Sequence, residues 1–167
     1  PFHASVSAEV VGDSVEEMLE MADDYIEIGP NITIKVPLTP EGLKVCKDLS
    51  TDDVAVNVTL CFSTAQAILA AKAGATYVSP FVGRVNDQSF DGIKLIEEIS
   101  DVYATHKQKT QVLAASIRDV HQVASCFRVG ADICTIPSKI FSGMYKHILT
   151  DQGIAKFDED WTKLVGG

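Results

Sequence analysis

Several things are missing from this chain of 167 residues, and each absence closes a class of function. No apolar run approaches the ~18 residues that a membrane-crossing helix needs, and no signal-peptide pattern is present. No run of lysine or arginine offers a basic face. With a formal charge of −9, binding to a nucleic-acid backbone is not expected, although a few local arginines suffice for a small phosphorylated ligand. Cysteine is scarce: Cys46, Cys61, Cys126 and Cys134 lie far apart in apolar segments with no CxxC pair. That argues against a disulfide framework or a zinc site, and reads as buried reduced thiols in an intracellular, cytoplasmic protein. His3, His106, His121 and His147 have no ligand-like spacing to carboxylates or cysteines, so they read as structural or surface residues, and no metal or cofactor is expected. An initiator methionine is also missing, and Pro1-Phe2-His3 already opens a strand-like alternation, which reads as a piece of a longer chain.

What is present is an ordinary globular composition. Hydrophobic residues make up 46% and charged residues 22%, enough for a real core in one domain spanning residues 1–167. Two-residue alternation predicts strands over residues 2–10, 31–37, 53–61, 76–81, 111–117 and 132–136. Helices alternate with them. Ser14 with Glu17 and Ser63 with Gln66 form capping boxes, Thr39-Pro40-Glu41 supplies a cap, a first-position proline and an acidic first turn, and Asp119 caps another helix. A polar loop is predicted around Gly83 and Arg84, a helix over about 91–106, and two closing helices near Met144 and Lys156.

Six strands alternating with helices imply βαβ units and a parallel sheet. A doubly wound open sheet fits the length, whereas a (β/α)8 barrel normally needs ~200 residues or more. The polar residues favour the barrel. Glu9, Lys35, Asn57 and Thr59, Ser79 and Phe81, and Ser116 with Arg118 sit near the ends of five successive strands, in phase with the inward-facing set. An open sheet covered on both faces would carry near-continuous apolar runs instead.

The residue types suggest chemistry. A lysine held among apolar neighbours loses hydration, which favours a neutral amine able to condense with a ketone. The resulting iminium is an electron sink for breaking an adjacent carbon–carbon bond. A carboxylate and a hydroxyl, Glu9 and Thr59, can hold a water for the proton transfers. Arg84, Arg118 and Ser116 offer the donors that a phosphate monoester needs. Taken one at a time, each residue also has a bland reading: a solvated strand-end lysine or carboxylate, a turn asparagine, strand filler, a surface ion pair.

Four segments in this order, Ile34-Lys35-Val36-Pro37, Asn57-Val58-Thr59-Leu60-Cys61-Phe62-Ser63, Tyr77-Val78-Ser79-Pro80-Phe81-Val82-Gly83-Arg84 and Ala114-Ala115-Ser116-Ile117-Arg118, resemble the transaldolase family, nearest in style to its short bacterial subgroup, which includes fructose-6-phosphate aldolases. The resemblance implies a (β/α)8 barrel, present here as about six βα units, strands three to eight. It also implies a metal-free Schiff-base transfer of a dihydroxyacetone unit from a ketose phosphate to an aldose phosphate in the pentose phosphate pathway. Lys35 would be the Schiff-base lysine, Glu9 the carboxylate positioning a water with Thr59, and Asn57 the partner of the bound dihydroxyacetone unit. Ser79 and Phe81 would line the pocket, while Arg84, Ser116 and Arg118 would grip the phosphate. Glu9 and Phe81 stand where the aldolase branch tends to carry glutamine and tyrosine, which favours transaldolase. Short family members tend to form rings of subunits, so a homo-oligomer is expected. Strands one and two, with the family's acid/base aspartate and an Asn-Pro loop, have no counterpart here. A sheet without them is expected to expose two edges and to lack turnover. The remaining readings are a simple fructose-6-phosphate aldolase and a non-catalytic phosphosugar-binding or structural fragment.

Overall fold

The helix starts form as their side chains dictate. Ser14, Thr39 and Ser63 accept the backbone N–H three residues on, from Glu17, Gly42 and Gln66. Gln66 completes its box by accepting the Phe62 N–H at 2.8 Å, and Gln122 does the same for the Arg118 N–H at 2.9 Å after Asp119 has capped its helix. Each bond satisfies an otherwise orphaned donor of a first turn. The computed structural model, which describes residues 4–166, places these helices between six strands. Phe2 and His3 lie outside the described residues.

In chain order the elements are β1 (Val6–Glu9), α1 (Val15–Ile26), β2 (Ile32–Pro37), α2 (Pro40–Thr51), β3 (Val56–Cys61), α3 (Thr64–Lys72), β4 (Tyr77–Pro80), α4 (Val82–Asp87), α5 (Gly92–Thr105), β5 (Gln111–Ala114), α6 (Val120–Arg128), β6 (Ile133–Cys134), α7 (Ser138–Gly143) and α8 (Ile148–Val165). All strand pairs are parallel, and the order across the sheet is the order in the chain. A doubly wound sheet reverses its order at a switch point; this one never does. It is a curled run of six βα units of a (β/α)8 barrel, in which β1 pairs with β2 and β6 with β5, leaving two edges among the described residues.

The face toward the helices is apolar. Val10, Ile34, Val36, Val56, Val58, Val78 and Ala114 are all fully buried there with Met18, Ala22, Val45, Ile96 and Ile99 of the helical layer. The concave face carries the alternate residues Ser5, Ser7, Glu9, Thr33, Lys35, Asn57 and Ser79, and they touch one another: Ser5 and Thr33 hydroxyls lie 2.6 Å apart, and the Ser79 hydroxyl donates to Asn57 Oδ1 at 2.7 Å.

Several boundaries differ from expectation for local reasons. β3 begins at Val56 because Asp53 takes a left-handed conformation, φ 59°, as α2 ends. Leu60 is also left-handed, φ 59°, and the β3–β4 register shifts between Val58 and Cys61. This bulge breaks the alternation, so Cys61 joins the buried cluster within reach of Tyr103 on α5 instead of following Asn57 and Thr59. β5 stops at Ala114, and Ser116 turns at φ 60°. Ser116 and Arg118 are therefore not in phase with an inward set; Val112 and Ala114, which share their parity, face the helices. The expected polar loop at Gly83 and Arg84 is the helix α4. No residue of α7 or α8 is buried, and Phe157, Trp161 and Leu164 of α8 are exposed. Among the described residues no helix is long and apolar enough to cross a membrane.

Candidate functional site

β2 is the axis of the site. Parallel register sets Lys35 opposite Glu9 of β1 on one side and Asn57 of β3 on the other. The Lys35 Nζ donates to Glu9 Oε2 at 2.8 Å, with the lysine side chain about three-quarters buried and the glutamate about half. Its neighbours on this face are polar, not the apolar surroundings expected from the alternation alone.

Thr59 stands opposite Pro37, one step further along β3. It is fully buried, and its hydroxyl has no hydrogen-bond partner among the described residues. A buried hydroxyl without a partner is costly, about 1–3 kcal/mol, so the position fits one that a water or ligand completes. Asn57 is held from both sides, accepting from Ser79 and donating through Nδ2 to the Ser7 hydroxyl at 3.5 Å, a long contact.

Beyond the strand ends lies a second group. Phe81 meets Phe62 edge to face with ring centroids 5.6 Å apart, and the Arg84 guanidinium carbon sits 4.7 Å from the Phe81 centroid. Arg118 reaches across to α4, where its Nη2 donates to Asp87 Oδ2 at 2.5 Å. Backbone joins the β4 and β5 ends as well: the Val82 N–H donates to the Ala115 carbonyl at 2.9 Å and the Gly83 N–H to the Ser116 carbonyl at 3.0 Å. Only glycine fits at 83, since a Cβ there would lie 2.2 Å from the Ser116 oxygen.

The structure thus sorts the candidates into two sets. Glu9, Lys35, Asn57, Thr59 and Ser79 share the concave face; Phe81, Arg84, Ser116 and Arg118 form the rim at the ends of β4 and β5. β4 links them, with Ser79 two residues before Phe81. A rim cavity of about 870 Å³ is lined by Arg84, Arg118, Asp87, Phe62, Phe90 and Lys94 among others, and does not include Lys35. Asp87 and Ser7 were not expected. Asp87 follows Arg84 by one helical turn, a spacing legible only once residues 82–87 are known to be helical. Among the described residues, no cluster of three or more His, Cys, Asp or Glu could hold a metal ion.

Residues 2–167 match the family described as Transaldolase/Fructose-6-phosphate aldolase. A probable transaldolase of Paracoccus denitrificans is 51% identical over 158 residues, covering 95% of this chain and 73% of the relative. One of Cereibacter sphaeroides is 53% identical over the same share of this chain and 72% of its own length. One of Geobacillus thermodenitrificans is 49% identical, covering 95% and 75%.

Proposed function

This chain belongs to the transaldolase/fructose-6-phosphate aldolase family, and from that premise we propose that it is a Schiff-base transaldolase with Lys35 as nucleophile. The observation that supports this most directly is the Lys35–Glu9 pair at 2.8 Å, with the unpartnered, buried hydroxyl of Thr59 on the same face, two residues along β3 from the Asn57 that stands opposite Lys35. Lys35, as its free amine, adds to the ketone of a ketose phosphate such as fructose 6-phosphate or sedoheptulose 7-phosphate, its ammonium proton passing through the water held by Glu9 and Thr59 and returning to the departing hydroxyl. Loss of water gives an iminium. Withdrawal of electrons into it breaks the adjacent carbon–carbon bond as the hydroxyl on the departing fragment gives its proton to the water held by Glu9 and Thr59, and an aldose phosphate leaves. The dihydroxyacetone unit stays on Lys35 as an enamine, adds to the aldehyde of an acceptor aldose phosphate, and is released by hydrolysis with water held by Glu9 and Thr59. The iminium is the electron sink, so the reaction calls for no metal and no cofactor.

Asn57, held by Ser79 in one orientation, binds the hydroxyls of the dihydroxyacetone unit. Arg84, Ser116 and Arg118 take the phosphate at the rim, where a planar guanidinium fork can donate to two phosphate oxygens at once. Phe81 lacks a hydroxyl that could protonate the enamine, which favours transfer to an acceptor over simple aldol cleavage. The setting is the non-oxidative pentose phosphate pathway in the cytoplasm. The proposal extends to residues 1–167 as the six-unit part of a single barrel domain, incomplete at its amino-terminal side, and to a homo-oligomer in which the exposed apolar side chains of α8 are covered, testable by light scattering.

The test is borohydride trapping with fructose 6-phosphate, read by peptide mass spectrometry, on this chain and on a form extended at its amino terminus. A reduced adduct on Lys35 is expected. No adduct on either form would overturn the reading in favour of a phosphosugar-binding protein, for which binding survives Lys35→Ala. Product formation without an acceptor aldose would identify an aldolase instead.

A further inference from the structure

We propose that Asp87 is a positioning residue for phosphate recognition: from the last residue of α4 it clamps Arg118 so that the guanidinium meets the substrate phosphate in one orientation. The inference rests on the phosphate-binding role proposed for Arg118 and goes beyond it to the residue that aims it.

Arg118 leaves β5 through two fixed points. Ser116 turns in the left-handed region, and Ile117 is 2% exposed, anchoring the segment in the core. The Arg118 N–H is then tied to Gln122 Oε1. Its side chain lies flat across Gly83, where a Cβ would come within 2.7 Å of Nε and 2.9 Å of Cγ. Its tip ends on Asp87 at 2.5 Å. Floor and clamp both belong to α4, and α4 is itself fastened to the Arg118 segment by the two backbone bonds from Val82 and Gly83. The arrangement therefore moves as one piece.

Stability does not account for the pair. Both side chains are about half exposed, and exposed ion pairs contribute little. What it does restrict is rotamer freedom. An unclamped arginine is among the most mobile of side chains, and a ligand that needs it fixed must supply the ordering on binding. Asp87 engages one N–H of five, leaving donors on the remaining edges for phosphate oxygens. Arg84, one turn earlier on α4, is held differently. It stacks over Phe81 with no ion-pair partner among the described residues. The rim thus presents one stacked and one clamped arginine to the same cavity, and Asp87 reduces the summed charge of the three groups to one positive. The carboxylate also repels the phosphate, but across a half-exposed, neutralised pair that repulsion is screened, so the ordering effect prevails.

The experiment measures binding of fructose 6-phosphate by calorimetry, alongside borohydride trapping of unphosphorylated dihydroxyacetone on Lys35. Asp87→Ala is expected to raise the Kd for fructose 6-phosphate about 3- to 10-fold. The dihydroxyacetone adduct should keep its concentration dependence, and Asp87→Glu should recover part of the loss. Arg118→Ala should weaken the phosphorylated ligand at least as much, and adding Asp87→Ala to it should weaken binding no further, because Asp87 acts through Arg118. If Arg118→Ala weakens binding while Asp87→Ala leaves it equal or tighter, the positioning role is overturned and the phosphate role of Arg118 stands. Additive losses in the double variant overturn the positioning role too. If Arg118→Ala itself changes nothing, the phosphate reading has failed and the inference falls with it.

Discussion

The two faces of the sheet are made from the same strands, residue by residue in alternation, yet they obey opposite rules. On the outer face Ile34, Val36, Val56, Val58 and Val78 are sealed at 0% exposure, and each contributes about 1.5–3 kcal/mol by leaving water. On the concave face Lys35 stands between Ile34 and Val36, pairs with a half-exposed carboxylate, and has a buried hydroxyl without a partner nearby. Ordinary packing would not assemble that layer. On the function proposed above, the contrast divides stability from chemistry by parity within single strands, so adjacent substitutions should have unlike consequences.

The sharpest test is Lys35→Met. The trapped adduct should fall by about 10³-fold or more, while the thermal midpoint hardly moves, since Glu9 stays half solvated. A melted protein would break the comparison. One residue away, Ile34→Ala should do the reverse, destabilising by about 2–5 kcal/mol in urea unfolding while the fraction that remains folded still forms the adduct. Thr59→Val sharpens the contrast at one buried site. It removes an unpartnered hydroxyl while keeping the shape, so urea stability should hold or rise by up to ~1 kcal/mol, and adduct formation should slow about 10- to 100-fold.

The smallest effect belongs to the thiols of the apolar layer. Burial pushes Cys46 up to about 12 and Cys61 up to about 11, from an ordinary value of 9.0. The folded thiols therefore keep protons that the unfolded chain releases above pH 9. Their contribution to stability is complete below that pH and declines from pH 9 toward 11–12, so the urea midpoint should be lower at pH 10 than at pH 8. Both should also resist alkylation at pH 8 in the native protein, as measured by mass spectrometry.

Much of this was legible in the sequence because the decisive interactions are short in range. A cap is a bond between a side chain and a backbone group three residues away, and Ser14, Thr39, Ser63 and Asp119 all form theirs. The strand alternation at Lys35 reports its two faces directly. What was not legible depends on distant contacts or on backbone that side chains do not advertise. Left-handed turns are usually marked by glycine, but Leu60 and Ser116 adopt them, and with them went the phase of Cys61 and of the rim residues. α4 begins with no side-chain cap, its first turn being set by bonds from Val82 and Gly83 to residues 115 and 116. Asp87 was hidden for that reason. The desolvated setting expected for Lys35 also failed to account for Glu9, whose contact comes from register across 26 residues.

The sequential strand order also bears on how such a chain finds its structure. Among the described residues each interior strand bonds to the one before and the one after it, so each pairing closes a loop of between about 20 and 35 residues. Assembly can start at any unit and spread in both directions, as in a stack of repeats. The Lys35–Glu9 contact needs one such closure, the rim arginines another, and neither depends on the order in which they form. An insertion in one connecting loop lengthens a single closure and leaves the others untouched.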